Sequence, residues 1–300
     1  MIIRPRPQSL PQMSVLSKQS SHSTYILHEK APFYYWEGQS SLSIKTFFSG
    51  RALYTLGKGY YAVDDCSYLI LNHQQPYTIA IEALEPIESF CIFFEPGFAE
   101  EIYRSHILSA ASLLDRPGAD ASSLLHFFER TYPHDHLVSP VLFQLRAAVQ
   151  SETFTSLWLS EQLHRLMQGL LHVHLSLYRE LEQLPAIRIA TREELYRRLY
   201  RAHDFIEALY TTSITLDEIA AVAELSPNHF LRMFKQLFHV TPHQYILRKR
   251  LECAQQLLRD TEQSVTEICF SLGFESLSSF SWYFQQKTGA SPRMYRTQKK

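Results

Sequence analysis

Two short sets of side chains, each spaced at steps of four and then three residues, offer hydrogen-bonding and packing chemistry. They are Asn228, Arg232 and Lys235, and then Ser278, Trp282 and Gln285. On an α-helix these steps place the members of a set on one face. Arginine matches guanine O6 and N7, asparagine matches adenine N6 and N7, and lysine more readily meets a phosphate. The first set in particular is therefore suited to contacting the edges of bases.

The helices that would carry these sets contain one sequence pattern twice. The matching positions are Phe230, Phe234, Pro242 and Tyr245, and then Phe280, Phe284, Pro292 and Tyr295. A phenylalanine pair four residues apart is typical of a buried helix face. A short helix over residues 216–224 or 265–272 and a tight turn precede each copy. Two helices joined in this way predict a helix-turn-helix unit, whose second helix is shaped to enter the major groove.

Polar residues mark the starts of the predicted helices. Capping-box pairs, in which glutamate follows a hydroxyl residue at the third position, are Thr191/Glu194, Thr215/Glu218 and Ser264/Glu267. Ser226 and Thr241 each precede a proline, which suits an N-cap followed by proline at the first helical position. The chain after Pro185 therefore predicts an all-α domain of about seven helices.

The predicted helix between the two units acts as a spacer. It runs from Pro242 to about Arg259, so at about 1.5 Å per residue it is about 27 Å long. This length suits two second helices that enter successive major-groove openings, about 34 Å apart on one face of a duplex. The run Arg248-Lys249-Arg250 lies on this helix. It is expected to be partly salt-bridged and solvated, with contact to the DNA backbone as the alternative interpretation.

Two segments follow the signature of a known family. They are LDEIAAVAELSPNHFLRMFKQLFHVTPHQYILRKRLECAQQLL and VTEICFSLGFESLSSFSWYFQQKTGASPRMYR, the second with Gly273-Phe274, Gly289 and Tyr295-Arg296 in place. Residues 191–296 thereby resemble the AraC/XylS family of bacterial transcription regulators. The resemblance implies two helix-turn-helix units on a linker helix that bind asymmetric sites in double-stranded promoter DNA. It also implies activation of transcription, which makes RNA polymerase a candidate partner.

The resemblance assigns DNA contacts to both second helices by motif position. They are Asn228, Leu231 and Arg232 in the first unit, joined by Lys235, and Leu277, Ser278, Ser281 and Trp282 in the second. Trp282 and Gln285 stand where the family generally has basic residues. The second unit is therefore expected to bind DNA weakly, through backbone contacts and packing against thymine methyl groups. His239 replaces the glycine that the second copy keeps as Gly289, so a less permissive residue must adopt a left-handed turn there.

The first half of the chain has a different pattern. Between residues 24 and 96, eight short apolar or aromatic segments alternate with turn residues, which predicts a small antiparallel β-sandwich or barrel. Helical periods follow over residues 98–184. The family resemblance implies that such a half is a cupin-like β-barrel that binds an effector, followed by a dimerising helical region. The sequence assigns no effector-binding residues.

We therefore predict an α+β protein of two domains. A flexible lead-in covers 1–20, a β-barrel sensor region with its helices covers 21–184, and an all-α DNA-binding domain with two helix-turn-helix units covers 185–300. The longest helical segment carries an apolar stripe at Leu159, Leu163, Leu166, Leu170, Val173 and Leu177. Two interpretations stay open: the stripe covers the β-barrel, or it forms the seam of a homodimer through 155–184.

The composition fits this division. Residues 1–184 hold 13 Lys and Arg against 18 Asp and Glu, whereas residues 185–300 hold 16 against 12. A basic excess suits a phosphate-binding face, although many solvated helices are also basic. No apolar run approaches the length of a membrane span, and no signal peptide is evident, so we predict a cytoplasmic protein without a membrane partner. The four cysteines lack the spacing of a zinc site and are expected to be reduced core residues.

The alternative function is a metal-dependent cupin enzyme fused to a DNA-binding module. Its site would need two or three histidines and a carboxylate that converge from strands. Only His28 and His73 lie in the strand region. We therefore predict a transcription regulator with no catalytic residues, metal ligands or cofactor. The sequence leaves open whether a small-molecule effector or a partner protein acts on the first half.

Overall fold

The computed structural model describes residues 23–106, 125–181, 184 and 189–298. The chain divides into two compact units, residues 1–179 and residues 180–300. The predicted lead-in at 1–20 and the predicted domain boundary at residue 185 lie outside the described residues. All the described strands belong to the first unit, and the described residues from 189 onward in the second unit are mainly helical.

The described strands of the first unit form one antiparallel sheet. They are β1 (Tyr25–Gln39), β2 (Ser43–Phe48), β3 (Ala52–Leu56), β4 (Gly59–Val63), β5 (Ser67–Leu71), β6 (Pro76–Phe93) and β7 (Thr131–Pro133). The order is β4-β3-β6-β2-β5-β7, and β1 pairs with β6. Because β4 also contacts β5 and β7, the ends of the sheet approach each other and the sheet is a nearly closed barrel.

Two strands are longer than the sequence predicts. β1 and β6 each join two of the eight predicted segments, and their pairing shifts register between Ala31 and Phe33. The first half of β6 pairs with β3 and its second half with β2, so one strand serves both halves of the barrel. The prediction of eight short strands was wrong here because Pro32 and Pro86 lie at an irregularity within continuous strands rather than at turns.

The barrel interior is filled by aliphatic and aromatic side chains from both halves. Its core includes Phe47, Tyr54, Tyr61, Leu69, Tyr77, Ile79 and Cys91. Lys45 is buried near this core, with only 2% of its surface exposed. Its Nζ lies 3.4 Å from the centroid of the Phe93 ring. Burial lowers the pKa of Lys45 to about 8, because the charged form loses its hydration.

One of the three described helices of the first unit is held on the barrel by a buried carboxylate. These helices are α1 (Phe98–His106), α2 (Ser139–Ser151) and α3 (Ser156–Leu181), which ends just inside the second unit. Glu88 of β6 accepts hydrogen bonds from Arg146 of α2 at 2.6 and 2.9 Å and from Gln150 at 2.9 Å, and His28 of β1 lies 2.9 Å away. The bonds from Arg146 lower the pKa of Glu88 to about 2 against the effect of burial, and His28 adds to them. This network fixes α2 on the sheet.

The apolar stripe of α3 is largely covered within one chain. Leu163, Leu166, Leu170 and Leu177 are buried, and Leu159 and Val173 are half-buried. Leu157, outside the stripe, is 79% exposed. This burial favours the interpretation that the stripe packs inside the protomer.

Seven helices lie between Ile189 and Gln298, as many as the sequence predicts. They are α4 (Ile189–Leu209), α5 (Leu216–Val222), α6 (Pro227–Phe238), α7 (Pro242–Asp260), α8 (Val265–Ser271), α9 (Leu277–Thr288) and α10 (Pro292–Gln298). We call α5 and α6 the first helix pair, and α8 and α9 the second helix pair. α7 joins the two pairs.

The helix starts agree with the predicted caps in part. Capping boxes form at Thr215/Glu218 and Ser264/Glu267, as predicted, and at Thr241/Gln244. The predicted N-cap at Thr191 was wrong, because α4 already begins at Ile189 and Thr191 lies inside its first turn. Ser226 precedes α6 as predicted, but its side chain makes no capping hydrogen bond.

The repeated sequence pattern forms the same contact in both copies. The rings of Phe234 and Tyr245 meet edge to face at 83°, and the rings of Phe284 and Tyr295 meet at 82°. Each Phe comes from the second helix of a pair, and each Tyr from the helix that follows. Edge-to-face packing satisfies the quadrupoles of both rings. The spacing of the pattern therefore reflects a Phe–Tyr contact that fixes each helix pair to the next helix.

Candidate nucleic-acid interface

α6 separates into a buried face and an exposed face, as its sequence predicts. Phe230, Met233, Phe234 and Leu237 are buried. Asn228, Arg232 and Lys235 are exposed, and Leu231 beside them is half-buried. The first and last of the exposed residues are seven residues apart, or about 10 Å along the helix axis. They form one solvent-facing row that begins at the N-terminal end of α6.

The basic side chains of this region differ in what they contact. Arg198 binds Glu194 at 2.7 Å, and Lys249 binds Glu207 at 3.1 Å. Among the described residues, Arg232 and Lys235 make neither an ion pair nor a hydrogen bond through their side chains. Because no acceptor within the described residues occupies their donors, both side chains are available to an anion or a base outside the protein.

α9 presents a different surface at the matching positions. Leu277, Ser278 and Trp282 are exposed, Trp282 by 66%, and Ser281 is half-buried. Trp282 and Ser278 border a groove of about 510 Å³ whose other lining residues are Leu247, Phe274, Ser279 and Tyr283. This surface has one indole N–H and hydroxyl groups but no charge. It is suited to packing against apolar groups more than to pairing with guanine.

The three basic residues of the run on α7 each contact other groups of the same chain. Arg248 lies 3.8 Å from Glu252, and Lys249 pairs with Glu207. Arg250 donates three hydrogen bonds to backbone carbonyl oxygens. Backbone contact to DNA, the alternative interpretation of this run, is therefore closed to Arg250. No sequence pattern indicates this role, because the three acceptors are main-chain atoms at distant positions.

A partly buried polar network holds α4 against α7. Nε2 of His203 lies 2.8 Å from the hydroxyl of Tyr245, which donates a hydrogen bond to Glu207. Burial raises the pKa of Tyr245, and the adjacent carboxylate of Glu207 raises it further. His203 also stacks on the ring of Phe238 at the end of α6, with centroids 4.8 Å apart. The network therefore holds the C-terminal end of α6 in place.

Comparison with known proteins identifies this region. A family model described as a helix-turn-helix domain matches residues 219–298. A probable transcriptional regulator, LumQ from Photobacterium leiognathi, is 38% identical over 93 residues, which cover 31% of this chain and 38% of that protein. The melibiose operon regulatory protein of Escherichia coli strain K12 is 33% identical over 92 residues, which cover 31% and 30% of the two chains. The C-terminal region is an AraC-type helix-turn-helix domain.

The AraC-type domain confirms the predicted resemblance to the AraC/XylS family. The matched stretch spans less than half the length of either curated relative. Among solved structures, an AraC-type transcriptional regulator from Chromobacterium violaceum is 32% identical to this chain. The match covers 35% of this chain and 93% of that one, with a TM-score of 0.33.

Three further observations concern possible metal sites, membrane spans and the cysteines in both units. In residues 23–106, 125–181 and 189–298, no three His, Cys, Asp or Glu side chains are grouped so that they can hold a metal ion. No helix in those ranges has both the length and the apolar character of a membrane span. All four cysteines are free thiols, and Cys66 is exposed, which corrects the expectation that every cysteine is in a core.

Proposed function

We propose that the chain is a sequence-specific transcription regulator that binds double-stranded promoter DNA through its AraC-type domain. The observation that carries this proposal is the exposed row of Asn228, Arg232 and Lys235, which lacks internal partners in the described part of the chain. An amide and a guanidinium one helical turn apart match the acceptors and donors of adenine and guanine edges in the major groove. Both curated relatives carry the names of regulators, which supports the same function.

We further propose that the two helix pairs act as two unequal helix-turn-helix units. α7 has 19 residues and is therefore about 28 Å long. That length is compatible with recognition helices in successive major-groove openings. In the first unit Leu231 packs beside the polar row. In the second unit Leu277, Ser278, Ser281 and Trp282 supply packing and hydroxyl contacts, so most base-specific hydrogen bonds come from the first unit.

We assign signal sensing to residues 21–184, as a cupin-like barrel with its helices, and DNA binding to residues 185–300. The barrel interior is occupied by its own side chains. A small-molecule effector that entered the barrel would therefore have to displace some of them, whereas a partner protein would bind the outer surface. Activation of transcription, with RNA polymerase as the partner, is the mode that the family resemblance favours. We propose that the protein acts on chromosomal DNA in the cytoplasm.

We propose separately that the protein forms a homodimer through 155–184, although few apolar residues of α3 are exposed for such an interface. Four leucines of the α3 stripe are buried within the chain, which leaves Leu157 exposed and Leu159 and Val173 half-buried. Sedimentation equilibrium of the full chain measures the oligomeric state directly. A dimer that Leu157→Glu dissociates supports this seam, and a monomer at tens of micromolar refutes it.

Selection of binding sites from random duplex DNA tests the main proposal. The full chain should enrich one asymmetric motif. The double variant Asn228→Ala/Arg232→Ala should enrich no motif or a degenerate one. Arg248→Ala is the matched control, because it removes an exposed arginine of the same domain that already faces Glu252. Absence of an enriched motif for the natural chain, or the same motif from the double variant, would refute the proposal.

A further inference from the structure

Two separate segments of the DNA-binding domain meet at one side chain of α7. Arg250 donates from Nε to the carbonyl oxygen of Tyr210 at 2.6 Å and from Nη2 to that of Thr212 at 2.8 Å. Its Nη1 donates to the carbonyl oxygen of Gly273 at 2.8 Å. Tyr210 and Thr212 follow α4, and Gly273 lies in the turn of the second helix pair. We call these four residues the Arg250 junction.

The backbone at Gly273 gives independent evidence of close contact at this junction. A Cβ atom on Gly273 would lie 2.4 Å from the carbonyl oxygen of Thr211 and 2.9 Å from Nη2 of Arg250. Its φ of 77° is also in the left-handed region that favours glycine. The turn of the second helix pair therefore touches the chain that leaves α4 directly, backbone against backbone.

The ring of Tyr210 extends the junction into the core of the second helix pair. It packs against the cluster that contains Ile268, Phe280 and Phe284. On the other side, α4 contacts both helices of the first helix pair. The end of α4 is thus attached to one pair through the helix itself and to the other through Tyr210 and Arg250. The two pairs are linked by this route as well as by α7.

Arginine is the side chain that this geometry requires. The planar guanidinium directs several N–H donors in fixed directions, so it satisfies three carbonyl oxygens at once. The carbonyls of Tyr210 and Thr212 lie just beyond the last residue of α4, where backbone acceptors lack helical partners. A lysine ammonium at position 250 would keep the charge but lose the fixed, planar arrangement of N–H donors.

We propose that Arg250 and Gly273 are positioning residues that set the separation of α6 and α9, and hence the spacing between the two half-sites that the protein accepts. This proposal rests on the proposed function, because it needs both helix pairs on one duplex. A single helix such as α7 leaves rotation and bending at its ends. The second attachment removes that freedom. Since one added base pair both shifts and rotates a half-site, a rigid domain tolerates it poorly.

The test uses the motif selected by the full natural chain and measures Kd on duplexes with one base pair added or removed between the half-sites. The natural chain should lose affinity by about tenfold or more on either change. Arg250→Lys and Arg250→Ala should bind the original spacing about three- to tenfold more weakly and lose most of the preference, to within about threefold. Gly273→Ala, which forces the turn away from Thr211, should act in the same direction.

Arg296→Lys is the matched control. Arg296 also donates to two carbonyl oxygens, those of Leu258 at 3.4 Å and Gln263 at 2.5 Å, but both belong to the end of α7 and the loop after it. This variant should keep the natural spacing preference. Thermal unfolding followed by circular dichroism identifies variants that do not fold. If Arg250→Ala does not fold, the comparison uses Arg250→Lys and Gly273→Ala.

The possible results separate the two proposals. If the natural chain selects no motif, the proposed function fails. If the natural chain selects a motif but shows no spacing preference, or if folded junction variants keep that preference unchanged, the positioning role of Arg250 and Gly273 is overturned while DNA binding stands. Loss of preference in the junction variants alone supports the inference.

Discussion

His239 and Gly289 end α6 and α9 at equivalent positions and share a left-handed backbone, with φ of 61° and 78°. Each donates its backbone N–H to the carbonyl oxygen four residues earlier, at 2.9 Å. This geometry closes the last turn of a helix and is usually supplied by glycine. The left-handed turn predicted at His239 is confirmed. The first copy of the repeat therefore carries a local strain that the second does not.

Replacement of His239 by glycine should relieve that strain. We expect His239→Gly to raise the free energy of unfolding by about 1 kcal/mol, because a Cβ in the left-handed region costs roughly that amount. The matched change Gly289→Ala should lower it by a similar amount. Urea unfolding followed by circular dichroism measures both, and a destabilised His239→Gly variant would contradict the strain argument.

Arg232→Ala should reduce specific DNA binding and relax one base position. The expected loss is about 1–3 kcal/mol on the selected motif, because a bidentate contact to guanine would be removed. Gel-shift titration across single-base variants of the motif measures both effects. Stability should be unchanged, since Arg232 is exposed and has no internal partner in the described part of the chain. This assignment would be refuted if Arg232→Ala and the natural chain bound every single-base variant of the motif with equal affinity.

Lys235→Ala should weaken binding to all sequences equally. A phosphate contact carries no base information, and its loss releases about one fewer counterion. The plot of log K against log salt has a negative slope, and its magnitude should therefore decrease by about one unit. Fluorescence anisotropy at several salt concentrations measures it. A change in sequence preference with an unaltered slope would instead place Lys235 at a base.

Trp282 should contact the methyl groups of thymines in the second half-site. Replacement of those thymines by uracil removes only the methyl groups, at about 0.8 kcal/mol for each one buried, or roughly fourfold in Kd. The natural chain should show this loss, and Trp282→Ala should not. Uracil in the first half-site is the control. Equal losses for both proteins would show that Trp282 does not cover the methyl groups.

Lys45→Met should stabilise the first unit near neutral pH. The pKa of Lys45 is lowered by burial from 10.5 to about 8, so the unfolded chain binds more protons between these values. The natural protein therefore gains stability as pH rises from 8 to 10.5, and below pH 8 it carries the full cost of the buried charge. We expect Lys45→Met to be roughly 2 kcal/mol more stable at pH 7.

The difference between Lys45→Met and the natural chain should shrink as pH rises through that window. Chemical unfolding at several pH values measures it. Leu69→Met is the control, because Leu69 is the neighbour of Lys45 on β5 and is also buried, but does not titrate. A stability difference that stays constant from pH 7 to 10.5 would show that the ammonium carries no such penalty.

Local patterns predicted which side chains of α6 are buried and which are exposed, because such patterns depend on few neighbours. The exposure of Asn228 and Arg232 follows from helix periodicity once Phe230 and Phe234 are taken as buried. The strand boundaries were harder. Proline at positions 32 and 86 indicates a break, yet both positions lie within continuous strands, because pairing of β1 with β6 on either side maintains the ladder.

The sequence by itself determined the helical repeat, its buried and exposed faces, and the resemblance to the AraC/XylS family, because each depends on residue types at short, fixed spacings. Only the tertiary structure decided what Arg248, Lys249 and Arg250 contact. Three adjacent basic residues look equivalent in a sequence. In the fold one faces a neighbouring turn of its own helix, one pairs with α4, and Arg250 binds three backbone carbonyls from two other segments. Backbone acceptors are the same in every residue, so no sequence pattern reveals where they converge.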